Sequence, residues 1–237
     1  MKRLYTLVSS EKTAEGYVIL LDGRVVKTKA GQPLCTPVED IANEVVQEWV
    51  RQEKVINPDT MPFTQILNTK IDRVSTERAR MSDTILKYLD TDLICYCADT
   101  PQGLVSMQDS LWAPWRLWAA EKFGHAPETT TGLIALSQPS GLHDRIGAYV
   151  QGINDDRFTI LQIAVPLTGS LILGAAFLEG VARAQDVFAA CFVEEKFKDT
   201  LYDAEKYGAD PHTESQQDAV LRDLQACETY LKAITVL

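Results

Sequence analysis

Short apolar stretches bounded by turn residues open the chain. Tyr17-Val18-Ile19-Leu20-Leu21 and Arg24-Val25-Val26-Lys27-Thr28 flank Asp22-Gly23. That pair suits the positive φ angles of a two-residue type I′ turn, so the stretch predicts a β-hairpin. Ala30-Gly31 predicts a second turn before Pro33-Leu34-Cys35, and Arg3 to Val8 supplies a further strand. Beyond Cys35 the period changes. Thr36-Pro37-Val38-Glu39 reads as a helix start, with Thr36 as N-cap, Pro at the first helical position and Glu at the third. Ile41, Val45, Val46 and Trp49 then share one helical face, and Asn57-Pro58 ends the helix.

From Pro62 onward the pattern is mainly helical. Helices are expected near 62–75, 77–89, 107–124, 141–153, 157–180, 182–207 and 213–234. In the last, Val220, Leu224, Cys227, Leu231 and Ile234 recur at alternating four- and three-residue steps, a narrow seam for packing on another helix. Phe158 to Leu178 carries no ionisable group and is long enough to span a bilayer. Gln162, Pro166, Thr168, Gly169 and Ser170 interrupt it, and it reads as a buried helix pair in the core. The expected fold is α+β. A small N-terminal antiparallel β-rich domain with a helix (1–75) precedes a larger, all-helical domain resembling an orthogonal bundle (76–237).

Composition narrows the function classes. Over 237 residues, 46% are hydrophobic and 24% charged, with a formal net charge of −10. Such a balance suits a folded soluble chain and argues against a nucleic-acid partner, which demands clustered Lys and Arg. A basic or neutral protein surface is the better counterpart. Five cysteines without a C-x-x-C pair, and a start too short in apolar residues for a signal peptide, point to a reducing compartment. Met1 followed directly by a strand favours a bacterial cytoplasm over a processed mitochondrial matrix protein.

Candidate chemistry is sparse. His125, His143 and His212 are scattered, and Cys95-x-Cys97 reads as two small half-buried thiols. Gly169-Ser170-Leu171-Ile172-Leu173-Gly174 has phosphate-loop glycine spacing, but Ala175-Ala176 stand where Lys and Ser or Thr belong. The pairs Glu194-Glu195, Asp155-Asp156 and Asp90 with Asp92 read as solvated helix ends or turns. Glu205, three residues before Gly208, sits unfavourably against a helix dipole and is a candidate contact residue. Trp112, Trp115 and Trp118 recur every third residue, a pattern that favours the core over a contact surface. One alternative remains: a small-molecule-binding protein or enzyme with Asp72, Arg73, Asp92 and Trp112–Trp118 lining a pocket.

Four ordered stretches resemble the assembly-chaperone family that attends the α subunit of the F-type ATP synthase head in mitochondria and α-proteobacteria. They are Leu21-Asp22-Gly23-Arg24-Val25-Val26-Lys27-Thr28 with Pro33-Leu34; Glu48-Trp49-x-x-Gln52 leading to Met61-Pro62-x-Thr64 and Asn68-Thr69-Lys70-Ile71-Asp72-Arg73; Thr91-Asp92-Leu93-Ile94-Cys95-Tyr96 with Gln108, Trp112, Pro114 and Trp118; and Thr168-Gly169-Ser170-Leu171 with Glu194-Glu195 and Glu205-Lys206-Tyr207-Gly208. The chain departs from the pattern at Tyr207, where the family usually has Trp, and in a longer segment between Glu195 and Glu205. The resemblance implies no cofactor and no turnover. It implies a protein that masks the unassembled α subunit against aggregation and hands it to the β subunit. The family's C-terminal acidic position falls on Glu194, Glu195 or Glu205, and with Asp210 these form the expected partner-binding set. A purely structural subunit of a larger assembly is the third reading.

Overall fold

The computed structural model describes residues 2–201 and 211–235. Backbone proximity divides the chain into two units. The first runs to Arg78 and also takes Asp155–Ile160 and the chain from Gln225 onward; the second holds Ala79–Asn154 and Leu161–Leu224.

In the first unit, β1 (Val8–Thr13), β2 (Gly16–Leu21), β3 (Arg24–Val25) and β4 (Cys35–Thr36) form a four-stranded antiparallel sheet. β2 pairs with β1 along its length, from Val8↔Leu21 to Thr13↔Gly16. Its other edge takes β3 at Leu20↔Val25 and β4 at Val18↔Cys35. Asp22 (φ 47°) and Gly23 (φ 75°) both adopt the left-handed conformation that a type I′ turn requires.

The strand expected over Arg3 to Val8 does not form; β1 begins at Val8, and only Lys2 bridges, to Val55. The cause is Asp22. Its carboxylate accepts the backbone N–H of Thr6 (3.1 Å) and of Leu7 (2.8 Å), and the Thr6 hydroxyl (3.0 Å). Those donors are thereby withdrawn from any ladder. The same bonds, Leu7 N–H foremost, hold the Asp22 carboxyl below its ordinary pKa.

Helix α1 (Glu39–Val50) starts two residues later than expected, with Val38 at the cap position. Thr36 is held in β4 opposite Tyr17, and its hydroxyl accepts the N–H of Val38 in a local turn. The inward face carries Ile41, Ala42, Val45, Glu48 and Trp49, with Val46 half-buried. α2 (Pro62–Thr69) runs through a π turn at Lys70–Val74 into α3 (Ser75–Leu86).

The second unit is built of helices. These are α4 (Gln102–Phe123), α5 (Ser140–Gly152), α6 (Asp155–Thr168, whose first residues belong to the first unit), α7 (Leu171–Leu178), α8 (Ala184–Cys191) and α9 (Val193–Leu201). The helix expected over 157–180 is two helices. Gly169 (φ +65°) breaks it, and the Ser170 hydroxyl accepts the N–H of Leu173 to start α7. All eight residues of α7 are buried, so the uncharged run is core. The expectation over 182–207 also splits, at Phe192, and residues 202–207 lie outside the described part. In the last helix, α10 (Pro211–Thr235), Leu224, Cys227 and Leu231 are buried as the seam predicted, and Ala226 and Tyr230 widen it. Among the described residues, no helix is long and apolar enough to cross a membrane.

Candidate functional site

A groove in the first unit gathers much of the second stretch quoted above. On α2 and the π turn, Met61, Thr64, Gln65, Asn68, Thr69, Asp72 and Arg73 follow three- and four-residue steps along one face. Residues 26–30 of the hairpin, Trp49 at the end of α1, and the Ile56–Pro58 segment complete the walls. The cavity measures about 790 Å³. Its buried lining is mostly apolar, with Leu34, Trp49, Ile56 and Met61 beside the hydroxyl residues Thr28 and Thr64, while Lys27, Lys29, Gln65 and Arg73 are exposed. Trp49 Nε1 has no hydrogen-bond acceptor among the described residues.

Local chemistry fixes the walls. Asp72 accepts the Thr28 hydroxyl and the Ala30 N–H (3.0 Å), which pins the Thr28–Gly31 turn to the π turn. Glu48 stands behind α2. Its carboxylate accepts the N–H of Phe63 (2.6 Å) and of Thr64 (2.8 Å) and the Thr64 hydroxyl (2.7 Å), capping a helix whose first residue, Pro62, has no N–H. Burial pushes Glu48 up to about 7 against those three donors, which pull the other way. Gln52 extends the network, donating to Glu48 O and accepting the N–H of Asn57 (2.7 Å). The quoted stretch contained Glu48, but its role was missed; Pro62 at a helix start, leaving later N–H groups in need of an acceptor, was the available signal.

The residues expected to line a small-molecule pocket are divided between the two units. Asp72 and Arg73 belong to the first unit, whereas Asp92 and the tryptophans belong to the second. Asp92 is wholly buried and accepts the N–H of Ile94 (3.3 Å) and of Ile172 (2.9 Å), so it caps α7. Burial raises it to about 6. Trp112 is core, its Nε1 donating to Ala190 O (2.8 Å). Trp115 and Trp118 are half-buried, and Trp118 packs edge-on against Phe123 at 5.8 Å.

The acidic positions divide. Glu194 and Glu195 lie half-buried in the first turn of α9. Glu194 accepts the Gln108 side-chain amide (3.0 Å), and the buried Gln108 in turn accepts the N–H of Ala98 (2.7 Å). Glu205 and Asp210 lie outside the described residues. Asp155 and Asp156 form ion pairs with Arg78 and Lys70, each at 2.6 Å. Cys95 is buried, which pushes its thiol far up, and burial pushes Cys191 up to about 12. Neither is a thiolate at neutral pH. Among the described residues, no cluster of His, Cys, Asp or Glu is arranged to hold a metal.

One loop stands apart. Thr130 is tied at both ends, its N–H to Cys95 O (2.9 Å) and its carbonyl to Cys97 N–H (2.8 Å). The Tyr96 hydroxyl accepts the N–H of Leu136, and Gln138 bonds both backbone groups of Glu128. Between these ties Leu133 (102% exposed) and Ile134 (86%) project into solvent.

The fold as a whole matches known proteins. The sequence model of the ATP12 chaperone protein family matches residues 2–120. The mitochondrial protein atp12 of Schizosaccharomyces pombe is 24% identical over 203 residues, 80% of this chain and 70% of that protein. The crystal structure of Atp12 from Paracoccus denitrificans superposes with a TM-score of 0.82 at 31% identity, covering 98% of this chain and 97% of that one. A putative chaperone from Agrobacterium tumefaciens, Atu1473, reaches a TM-score of 0.85 at 29% identity over 98% of this chain and 86% of that one. A family model spanning half the sequence and a solved relative matched nearly end to end agree: the chain belongs to the ATP12 chaperone family.

Proposed function

We propose that this protein binds the unassembled α subunit of the F-type ATP synthase, masks its subunit interface against aggregation, and releases it to the β subunit. Family membership carries the reading. A free subunit of a larger assembly exposes apolar surface meant for its neighbour, and a temporary cover must offer apolar surface in return. Leu133 and Ile134 offer such surface on a loop whose ends are tied. Affinity is moderate, since release must follow. The acidic residues Glu194, Glu195, Glu205 and Asp210 orient the encounter by their charge. The work takes place in a bacterial cytoplasm or a mitochondrial matrix and requires neither cofactor nor turnover.

Mixing the purified protein with isolated α or β subunits and following light scattering tests this. Protection of α alone is the expected result; no protection, or equal protection of β, overturns it. The double variant L133S/I134S is expected to keep its thermal midpoint, because exposed substitutions change stability by about 0.5 kcal/mol or less. Its protection of α should fall about tenfold, which corresponds to about 1.4 kcal/mol for two lost aliphatic contacts. Undiminished protection would remove the loop from the contact.

A further inference from the structure

We infer that the groove between the hairpin and α2 receives an extended segment of another polypeptide that combines aliphatic and acidic side chains. This rests on the chaperone reading, since the segment belongs to the client. Three observations carry it.

The lining is long. From Met61 to Arg73 it follows helical steps over roughly 18 Å at 1.5 Å per residue. That length matches about five residues of extended chain at 3.3 Å each. A line of this length suits a strand-like segment better than a compact small molecule.

Its charge opposes that of the molecule. Lys27, Lys29 and Arg73 line the groove of a chain with net charge −10, and none makes an ion pair among the described residues. The lining carries two carboxylates, Asp59 and Asp72, and Asp72 is already engaged by Thr28 and Ala30. Three cations against two carboxylates leave the lining one positive charge in excess, which favours an acidic occupant.

Its surface combines buried aliphatic and aromatic side chains with two uncommitted polar ones. Leu34, Trp49, Ile56 and Met61 provide the surface for aliphatic side chains. Asn68 and Thr69 have no side-chain hydrogen bond among the described residues, leaving an amide and a hydroxyl for peptide groups. The π turn at Lys70–Val74, a distortion that recurs at functional sites, places Asp72 and Arg73 on this face.

The test uses the full chain and fluorescent overlapping peptides spanning the α-subunit sequence, followed by anisotropy. Peptides joining aliphatic and acidic residues should bind and weaken as salt is raised. K29E/R73E should lower their affinity about tenfold or more with the thermal midpoint unchanged, and N68A a few-fold. The inference is overturned by binding that K29E/R73E leaves intact, by equal binding of basic peptides, or by sedimentation showing a dimer that K29E/R73E dissolves. Wild-type protein that protects whole α subunit yet binds no peptide also removes the groove, while the chaperone reading stands. Loss of protection by the wild type itself is the separate failure of that reading.

Discussion

Replacing Asp92 with alanine lowers the free energy of unfolding by about 2–6 kcal/mol, the cost of leaving two buried N–H donors without an acceptor. Asp92 is wholly buried, and α7, which it caps, is buried at every residue. The first N–H groups of that helix therefore have no water to turn to. Without the carboxylate, Ile172 N–H and Ile94 N–H lose their acceptor, each at about 1–3 kcal/mol. Asp92→Asn keeps one oxygen and loses less, although it introduces an amide whose two hydrogens need acceptors in a site built of donors. Urea titrations of the three proteins measure the order wild type, Asn, Ala. An alanine variant within 1 kcal/mol of wild type, on the scale of an exposed substitution, would show that α7 starts without this cap.

Glu48 governs both stability and its pH dependence. Glu48→Ala leaves Phe63 N–H, Thr64 N–H and the Thr64 hydroxyl without their acceptor at the start of α2, at a cost of roughly 2–4 kcal/mol. Burial pushes the Glu48 carboxyl up to about 7, above the unfolded value near ~4.3. The native state then binds more protons than the unfolded chain between those values, so stability falls as pH rises from about 4 through about 7. The loss from this one group is on the order of 3–4 kcal/mol. Asp92, raised to about 6, adds a decline in the same direction that is complete near that value. Glu48→Gln should keep the acceptor oxygen and abolish the decline between pH 6 and 7 while the lower part survives. Urea midpoints at unit pH intervals read this directly. A Gln variant with the wild-type slope above pH 6 would assign the linkage elsewhere.

Local chemistry was legible in the sequence; long-range capture of donors was not. Asp22-Gly23 gave the hairpin because both residues of a two-residue turn must accept positive φ, a requirement written in adjacent letters. The same Asp22 erased the expected strand at Arg3–Val8 by reaching back to Thr6 and Leu7, which no period reveals. Thr36 looked like an N-cap and became a strand residue, because its backbone pairs with Tyr17. The uncharged run was read as a buried helix pair, and Gly169 supplied its break. Asp92 drew attention as a pocket acid and is a cap, a role that depends on Ile172 eighty residues away. Several residues of the quoted second stretch, Trp49, Met61, Thr64, Asn68, Asp72 and Arg73, share the groove. Spacing alone placed those on α2 along one face, but the hairpin wall had to fold before the face became a cavity. Glu194 was singled out as a contact residue through resemblance, and the structure adds that it already holds Gln108.

The first unit takes its final segment from residues beyond Gln225, where Tyr230 donates to Asp156. A ribosome that has finished Arg78 must add well over a hundred residues before that segment exists, on the order of 10–30 s at ordinary elongation rates. For that interval the emerging first unit lacks its final segment. The first unit is therefore completed only once that late segment has emerged.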